Sequence, residues 1–298
     1  CTDDVHSQTL VTHGHMDRVV RHAIAQGLNP VTAIQMGTIN AAEHFGVSRH
    51  MGMIAPGRFA DVVLVDDLVD FYAEVVIARG KVIAEKGAMT VELPEVKHPE
   101  WVLNSVNLKR ALEPADFRLA SDKERVTANV IGVIENQAPT RHLRMELAVE
   151  NGEVKANLEQ DLAKVALVER HRGSGAIQLG LVHGFGLEVP CAIATTVAHD
   201  SHQMIVVGTD DEDMATAANV LAQCGGGQVV VLRGNVVGKV NLPIGGIMSN
   251  EPADVVAQKA GTVLTGFQNC GCRLNNPNMQ LSLLALVVGM FLVYNTVM

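Results

Sequence analysis

The apolar positions of the first fifty residues follow a helical period. Apolar residues three and four apart between positions 19 and 24 form one face of a predicted helix, which follows a loop from residue 8 and ends at Gly27. Asn29-Pro30 then supplies an N-cap residue and a proline for the first turn of a second helix, which ends at Gly46. The pattern predicts a pair of helices.

The pattern changes at Met51, where a turn-rich run leads into short apolar segments. Residues 62–65 predict a buried strand, and residues 75–78 and 81–84 predict two strands around a tight turn at Arg79-Gly80. The sequence therefore predicts a small all-β unit over residues 51–92.

Residues 93–120 contain three prolines and mixed charge without a clear period, which is typical of a linker. From Arg125 onward, short apolar runs alternate with helical patterns, as in a separate α+β or α/β domain. Periodicity leaves open whether its strands are parallel or antiparallel. The predicted strands cover residues 126–133, 143–149, 163–170, 192–198, 204–208 and 228–233, and the predicted helices cover 213–224 and 250–259.

Composition narrows the class of protein. The 298 residues are 48% hydrophobic and 18% charged, as in a folded globular protein. The net charge of −9 and the lack of a basic stripe argue against a nucleic acid as partner. A free nucleobase carries no phosphate, so the negative charge of the chain does not exclude it as a substrate. Five cysteines without a secretory signal indicate reduced thiols in a cytoplasmic protein.

Both ends of the sequence are unusual. The chain opens with Cys1 and enters a motif at once, without an initiator Met or a targeting segment, so we expect a fragment of a longer protein. Residues 281–298 carry no charge and have the apolar content of a membrane span. Because nothing else in the sequence indicates a bilayer, we favour a buried strand and helix followed by a truncated or out-of-frame end.

The opening motif pairs two carboxylates, Asp3 and Asp4. At the carboxyl end of a barrel strand, one such carboxylate can bind a divalent metal and accept a proton from an attacking water, while its neighbour orients it or binds substrate. The pair alone is a weak signal, because a solvated turn explains it better.

Longer segments add a family resemblance. They are residues 2–4, 40–46, 52–63, 168–175, 196–203, 225–228 and 242–249. Through these segments the sequence resembles the adenine deaminase family of the amidohydrolase superfamily. This resemblance implies a mixed α/β and β fold: the end of a (β/α)8 barrel in residues 1–50, a small β-sandwich in 51–95, a linker in 96–122, and an additional α+β C-terminal domain in 123–298.

The resemblance also implies a reaction. In that family, a metal-activated water attacks C6 of adenine, giving hypoxanthine and ammonia in purine salvage. The resemblance assigns metal binding and proton transfer to Asp3 and places Asp4 beside it. Manganese is the metal that we expect, with iron or zinc as alternatives. The remaining metal ligands belong to earlier strands that this sequence lacks, so we expect the chain alone to be inactive. Its oligomeric state is open, and a homo-oligomer is compatible.

Three histidines are further candidates for substrate binding: His15, His199 and His202. His13-Gly14-His15 has the spacing of a metal pair but follows the Asp-Asp motif, so we expect only a loop and the start of a helix. The 199–202 segment does not suit a serine-hydrolase triad, because adjacent side chains diverge. It either lines the mouth of the active site or forms a structural polar network at an interface, and we favour the structural role.

Glu169, Arg170 and His171 form a charged cluster at a predicted strand end. We expect a buried, paired network there rather than catalysis. Two alternatives to an adenine deaminase stay open for the whole chain. One is a non-catalytic binding or oligomerisation module, and the other is a different deaminase or amidase of the superfamily.

Overall fold

The computed structural model describes Thr2 and residues 5–295, which fall into two compact units, residues 1–97 and residues 98–298. The first unit begins with four helices and continues with a four-stranded antiparallel sheet of order β1-β2-β3-β4. Its elements are α1 Ser7–His13, α2 Met16–Ala25, α3 Pro30–Gly37, α4 Ile39–His44, β1 Val62–Val65, β2 Ala73–Ala78, β3 Lys81–Glu85 and β4 Ala88–Met89.

The helix ends of the first unit follow the capping residues predicted from sequence. The Asn29 side chain accepts hydrogen bonds from the backbone N–H groups of Val31 and Thr32, as an N-cap residue does. Gly27 follows α2 with a φ of +97°, and the next N–H bonds back to the carbonyl of Ala23, which closes a Schellman motif. Both predictions are confirmed.

Three predictions for this unit are wrong. Residues 7–13 form helix α1 rather than a loop. The helix predicted to run from Pro30 to Gly46 is two helices, α3 and α4, which are separated at Thr38. Strand β1 is not buried, because Val63 and Leu64 are each about half exposed. An apolar run alone cannot distinguish a strand covered on both faces from one whose apolar side chains face outward.

The second unit contains an eight-stranded sheet of order β14-β13-β11-β12-β9-β10-β6-β7 and a two-stranded sheet of β5 and β8. The large sheet is antiparallel except between β6 and β10, which run parallel. Its elements are α5 Glu100–Leu103, a 3₁₀ turn Pro114–Phe117, β5 Leu119–Ala120, β6 Arg125–Gly132, β7 Arg141–Ala148, β8 Glu153–Val154, β9 Leu162–Val168, β10 Ile177–His183, β11 Cys191–Thr195, β12 Met204–Gly208, α6 Asp211–Gln223, β13 Gly227–Leu232, β14 Asn235–Asn241, α7 Ala253–Asn269 and α8 Pro277–Asn295.

The large sheet is covered on both faces. All residues of β9, β11 and β12 are buried, which is typical of strands packed between two layers. Alternate side chains enter two different cores: Val165 lies with Phe267 and Leu284 of α7 and α8, whereas Ala166 lies with Leu221 of α6. The result is a three-layer α/β arrangement.

The segment predicted as a linker takes part in this packing. Phe117 is fully buried in the core on the α6 side, and the Leu112 backbone exchanges hydrogen bonds with the Asn219 side chain of α6. A mixed α/β fold with a large sheet is confirmed. The four-part division at residues 50, 95 and 122 stays a prediction.

The apolar C-terminal stretch begins as α8, a single helix rather than a strand and a helix. Leu281, Leu284, Ala285 and Val288 are buried in the core of the large sheet. Among the described residues, no helix combines the length and apolarity needed to cross a membrane.

Candidate active site

The four later segments that carry the family resemblance meet at one end of the large sheet. Residues 168–175 follow β9, 196–203 connect β11 to β12, 225–228 lead into β13, and 242–249 follow β14. Since Met204 pairs with Val168 and Gln228 pairs with Thr195, the register places all four at the same end. The antiparallel topology therefore assembles signatures that lie far apart in sequence.

Arg170 lies at the centre of this assembly and is 1% exposed. Its Nε donates to the carbonyl of His202 at 2.6 Å, its Nη1 to the carbonyl of Ser105 at 3.1 Å, and its Nη2 to the carbonyl of Gly245 at 3.1 Å. Burial lowers the pKa of Arg170. Within the described part of the chain no carboxylate forms an ion pair with it, so it is a buried cation held by carbonyl dipoles.

Glu169 is bonded elsewhere, and the prediction that this cluster is paired is wrong in this respect. Its carboxylate accepts backbone N–H bonds from His171, Arg172 and Ser174, and the Ser174 hydroxyl donates a fourth bond. Burial opposes ionisation, but these donors outweigh it and lower the pKa of Glu169 to about 2. Glu169 thus fixes its own loop while the neighbouring arginine holds the other segments.

A second contact joins the glycine-rich turn to this centre. The backbone N–H of Gly227 donates to the buried Thr196 hydroxyl at 2.7 Å, and that hydroxyl donates to the carbonyl of Gly246 at 2.5 Å. Gly226 has a φ of +112°, and a Cβ there would lie 2.6 Å from the Cα of Gly246. The turn needs glycine for close backbone approach, and the predicted helix-to-strand turn is confirmed.

The structure brings His199 and His202 together with ring centroids 5.5 Å apart. Both side chains are partly exposed. The His202 Nδ1 accepts the backbone N–H of Ala198 at 3.3 Å, and the His199 backbone N–H donates to the Ser282 hydroxyl of α8 at 3.2 Å. A third histidine, His171, bonds through its Nε2 to the carbonyl of Ser201 at 2.9 Å.

A serine-hydrolase triad is not formed here. Ser201 is exposed, and no hydrogen bond joins its hydroxyl to a histidine in the described structure. What links it to His171 is its backbone carbonyl. Hydrogen bonds join this segment to itself and to Ser282 of α8, whereas its predicted place at an interface and the contact of the histidines with substrate stay predictions.

In the first unit, His15 is the N-cap residue of α2, and His13 ends α1. The His15 Nε2 lies 2.7 Å from the hydroxyl of Thr2, and its backbone N–H donates to Asp17 at 2.8 Å. Burial raises the pKa of Asp17, but hydrogen bonds from His15 and Arg21 outweigh it and lower that pKa. Asp3 and Asp4, the predicted catalytic pair with Asp3 as metal ligand, lie outside the described residues.

Among Thr2 and residues 5–295, no three His, Cys, Asp or Glu side chains lie together as a metal-binding group. His13 and His15 therefore form no three-ligand site with the described residues. The four described cysteines, Cys191, Cys224, Cys270 and Cys272, are free thiols, and the first, third and fourth are buried.

Sequence reasoning missed a buried ionic cluster at the other end of β9. Lys164 is 3% exposed, and its ammonium group contacts the carboxylates of Glu153 and Asp211 at 2.5 and 2.8 Å and the carbonyl of Phe117 at 3.1 Å. Burial raises the pKa of Asp211, whereas for Glu153 the hydrogen bond and charge of Lys164 outweigh burial and lower the pKa. A lysine inside an otherwise apolar run was the available signal.

Comparison with known proteins finds a family model and several relatives that match this chain in sequence. Residues 1–90 match the model of the amidohydrolase family. Over 289 residues the chain is 51% identical to Adenine deaminase 3 of Rhizobium meliloti, covering 97% of this chain and 49% of that protein. It is 53% identical over 291 residues to Adenine deaminase of Ruegeria pomeroyi, covering 97% of this chain and 48% of that protein. It is 48% identical over 289 residues to Adenine deaminase of Moorella thermoacetica, covering 96% of this chain and 48% of that protein.

The chain thus spans about half the length of the curated relatives that it matches. The model of the adenine deaminase C-terminal domain matches residues 137–292, which contain the whole Arg170 assembly apart from Ser105. This match covers more than half of the chain, so the chain belongs to the adenine deaminase C-terminal domain family.

Proposed function

We propose that this chain acts as part of an adenine deaminase, which hydrolyses adenine to hypoxanthine and ammonia. The observation that carries the proposal is the identity of about half of all residues to adenine deaminases over 97% of the chain. The Arg170 assembly supports it, because the four later segments of the resemblance, residues 168–175, 196–203, 225–228 and 242–249, form one packed centre in the described structure. The reaction adds water at C6 of the purine and expels the C6 amino group as ammonia.

The first unit is proposed to supply the end of a (β/α)8 barrel in residues 1–50 and a small β-sandwich in residues 51–95. Large apolar side chains on its surface support this proposal, since such positions need a covering layer in water. They include Leu10, Val31, Met36, Phe45, Ile54, Val63 and Leu64. Residues 96–122 are proposed as a connection and residues 123–298 as the additional C-terminal domain.

Asp3 and Asp4 carry the chemistry in this proposal. One carboxylate takes a proton from the attacking water and returns it to the leaving amino group, while the other orients substrate. The hydrogen bond between Thr2 and His15 supports a place for His15 near these carboxylates, because Thr2 directly precedes Asp3. His15, His199 and His202 are the proposed substrate-binding histidines.

The amidohydrolase match implies a divalent metal, which we propose to be manganese, with Asp3 as one ligand. The described residues contain no three-ligand group and do not by themselves fit such a metal. No step at the metal is therefore assigned to them. The free thiols suit a cytoplasmic enzyme, and we propose that location and a free nucleobase, not a nucleic acid, as substrate.

A chimera tests the function. In the Rhizobium meliloti relative, the region that matches this chain is replaced by the chain itself, and ammonia release from adenine is measured with added manganese beside the intact relative and this chain alone. We expect the chimera to turn over adenine and the chain alone to be inactive. A folded chimera without activity on adenine would contradict the proposal and favour a non-catalytic module or another substrate.

The Asp3→Asn variant of the same chimera tests the site. We expect turnover to fall by about 10²–10⁴-fold, the usual contribution of a proton-transferring side chain, together with a loss of bound metal measured by elemental analysis. Unchanged turnover would remove Asp3 from the mechanism. The matched control is Asp122→Asn, an exposed aspartate of the second unit, for which we expect no change.

A further inference from the structure

We propose that His202 is a specificity residue, a neutral imidazole whose Nε2–H donates to an acceptor nitrogen of the purine ring. The choice of a purine as ligand rests on the proposed function. The assignment of the His202 Nε2–H as a donor rests on the structure alone. The inference starts from one contact, the backbone N–H of Ala198 donating to the His202 Nδ1 at 3.3 Å.

That contact selects a tautomer. A backbone N–H can only donate, so the Nδ1 that receives it must carry a lone pair. In a neutral imidazole the other nitrogen then bears the proton, and Nε2 becomes a hydrogen-bond donor. No side chain or backbone group of the described residues bonds to the His202 Nε2, and this nitrogen is not among the buried unpartnered atoms, so the N–H is available to a ligand.

The backbone at His202 is held from three sides. Its N–H donates to the carbonyl of Ala198 at 2.7 Å, and its carbonyl accepts the Arg170 Nε at 2.6 Å. The next residue, Gln203, accepts the backbone N–H of Arg170 through its side-chain oxygen at 2.9 Å. The φ of His202 is +49°, which is uncommon for a residue other than glycine. The bond from Arg170 to the carbonyl of His202 helps to hold this conformation.

The surroundings keep this imidazole neutral. Burial comes first among the causes that lower the pKa of His202, followed by the charges of His199 and Arg170 and then by that of His171, while Asp200 acts in the opposite direction. Asp200 is 87% exposed, so solvent screens its effect. A positively charged ligand is disfavoured beside the buried Arg170, whereas a neutral heteroaromatic ring is not.

A fixed N–H donor fits the edge of adenine. In adenine the ring nitrogens N1, N3 and N7 are acceptors in the plane of the base, whereas N9 carries a proton, and a partly exposed imidazole can approach an acceptor in that plane. A site that donates to a ring nitrogen discriminates against a base in which carbon replaces that nitrogen, because the protein donor is then left without a partner.

The first test reads the tautomer directly in the full chain. The protein is labelled with ¹⁵N only in its 12 histidines, and long-range ¹H–¹⁵N correlation spectra at pH 7.5 are recorded for the wild type and for His202→Gln, which identifies the His202 signals by their loss. We expect Nδ1 as the unprotonated nitrogen and Nε2 as the protonated one. A proton on Nδ1, or a charged ring at this pH, would overturn the inference whatever the protein does with adenine.

The second test uses the chimera described above and measures Kd for adenine and for its 1-deaza, 3-deaza and 7-deaza analogues. We expect one analogue to bind about tenfold more weakly than adenine and this difference to vanish in His202→Phe. His202→Gln, which keeps an N–H donor, should retain most of it. His142→Phe is the matched control, since the exposed His142 side chain on β7 bonds to Asn129 of β6 and, among the described residues, to no other side chain.

The outcomes separate the two proposals. If the chimera deaminates adenine but His202→Phe keeps the wild-type discrimination, the inference is wrong and the function stands. If the chimera neither binds nor deaminates adenine, the proposed function is wrong, and a purine is no longer the proposed acceptor for the His202 Nε2–H. In that case the spectrum alone decides whether His202 is a fixed donor.

Discussion

The two units of this chain bury their apolar residues to very different degrees. In the second unit, all seven residues of β9 are buried between two helical layers. In the first unit, the buried apolar side chains among the described residues are Val20, Ala33 and Ala42. Large side chains such as Phe45 and Ile54 are 76% and 83% exposed. Both units form helices and paired strands, so the difference lies in the tertiary packing.

The comparison teaches that a capped helix or a paired hairpin does not imply a core. The first unit caps helix α3 and pairs its four strands, yet among its described residues many large apolar side chains are exposed, without a layer that covers them. The second unit contains both the sheet and the helices that cover it. Stability should therefore reside in residues 98–298, whereas the proposed chemistry at Asp3 and Asp4 belongs to the other unit.

Separating the units should give the largest effect. We expect residues 98–298, expressed alone, to unfold in one cooperative transition, because both faces of their sheet are already covered. Residues 1–97 alone should show no cooperative transition, since a marginal core cannot offset the conformational entropy of folding. Circular dichroism during urea titration of each polypeptide measures this. Cooperative unfolding of residues 1–97 would contradict the comparison.

The next effect comes from the ionic cluster inside the second unit. Lys164→Met leaves the carboxylates of Glu153 and Asp211 without their cation in a largely buried site, and we expect a loss of about 3–5 kcal/mol in the free energy of unfolding. The matched control is Lys155→Met, because Lys155 pairs with Glu150 at 4.0 Å on the surface. Its loss should be within about 1 kcal/mol. Equal losses in the two variants, measured by urea unfolding at pH 7, would show that burial does not make the ion pairs of Lys164 more important for stability than the surface pair of Lys155.

Local sequence signals predicted local structure well. Met204–Gly208 is a strand within its predicted bounds, and Asn29-Pro30 begins a helix as expected, because capping groups and β-branched runs act within a few residues. Strands Ile177–His183 and Asn235–Asn241 were not predicted, since each contains an interior glycine that weakens the strand pattern. The helix predicted over residues 250–259 extends from Ala253 to Asn269.

The candidate site was less predictable, because it is made by topology. Nothing in the sequence around Arg170 reveals that its partners are backbone carbonyls at Ser105, His202 and Gly245. Because every residue has a backbone carbonyl, the residue type at a position does not reveal that its carbonyl is a hydrogen-bond partner. In the same way, the tautomer of His202 depends on the N–H of Ala198, which every residue except proline supplies.

The smallest effect concerns Glu169, whose carboxylate holds the loop that follows Arg170. Its pKa in the folded protein is about 2, below the ordinary value of 4.5, so it contributes stability above pH 4.5 that is lost as the pH falls toward 2. Because the loop is partly exposed, solvent screening reduces this contribution, and we expect Glu169→Gln to cost about 1 kcal/mol at pH 7.

The difference in free energy of unfolding between wild type and Glu169→Gln should shrink as the pH falls from 5 to 3, since the carboxylate of the unfolded chain takes up a proton around pH 4.5 whereas that of the folded chain stays ionised until about pH 2. Glu159→Gln, at an exposed position of the same unit, is the control and should show no such pH dependence. A Glu169→Gln difference that stays constant from pH 7 to pH 3 would mean that its four hydrogen bonds do not depend on the charge. The loop would then be held by the shape of its turn, and Arg170 and Thr196 would account for the order at this end of the sheet.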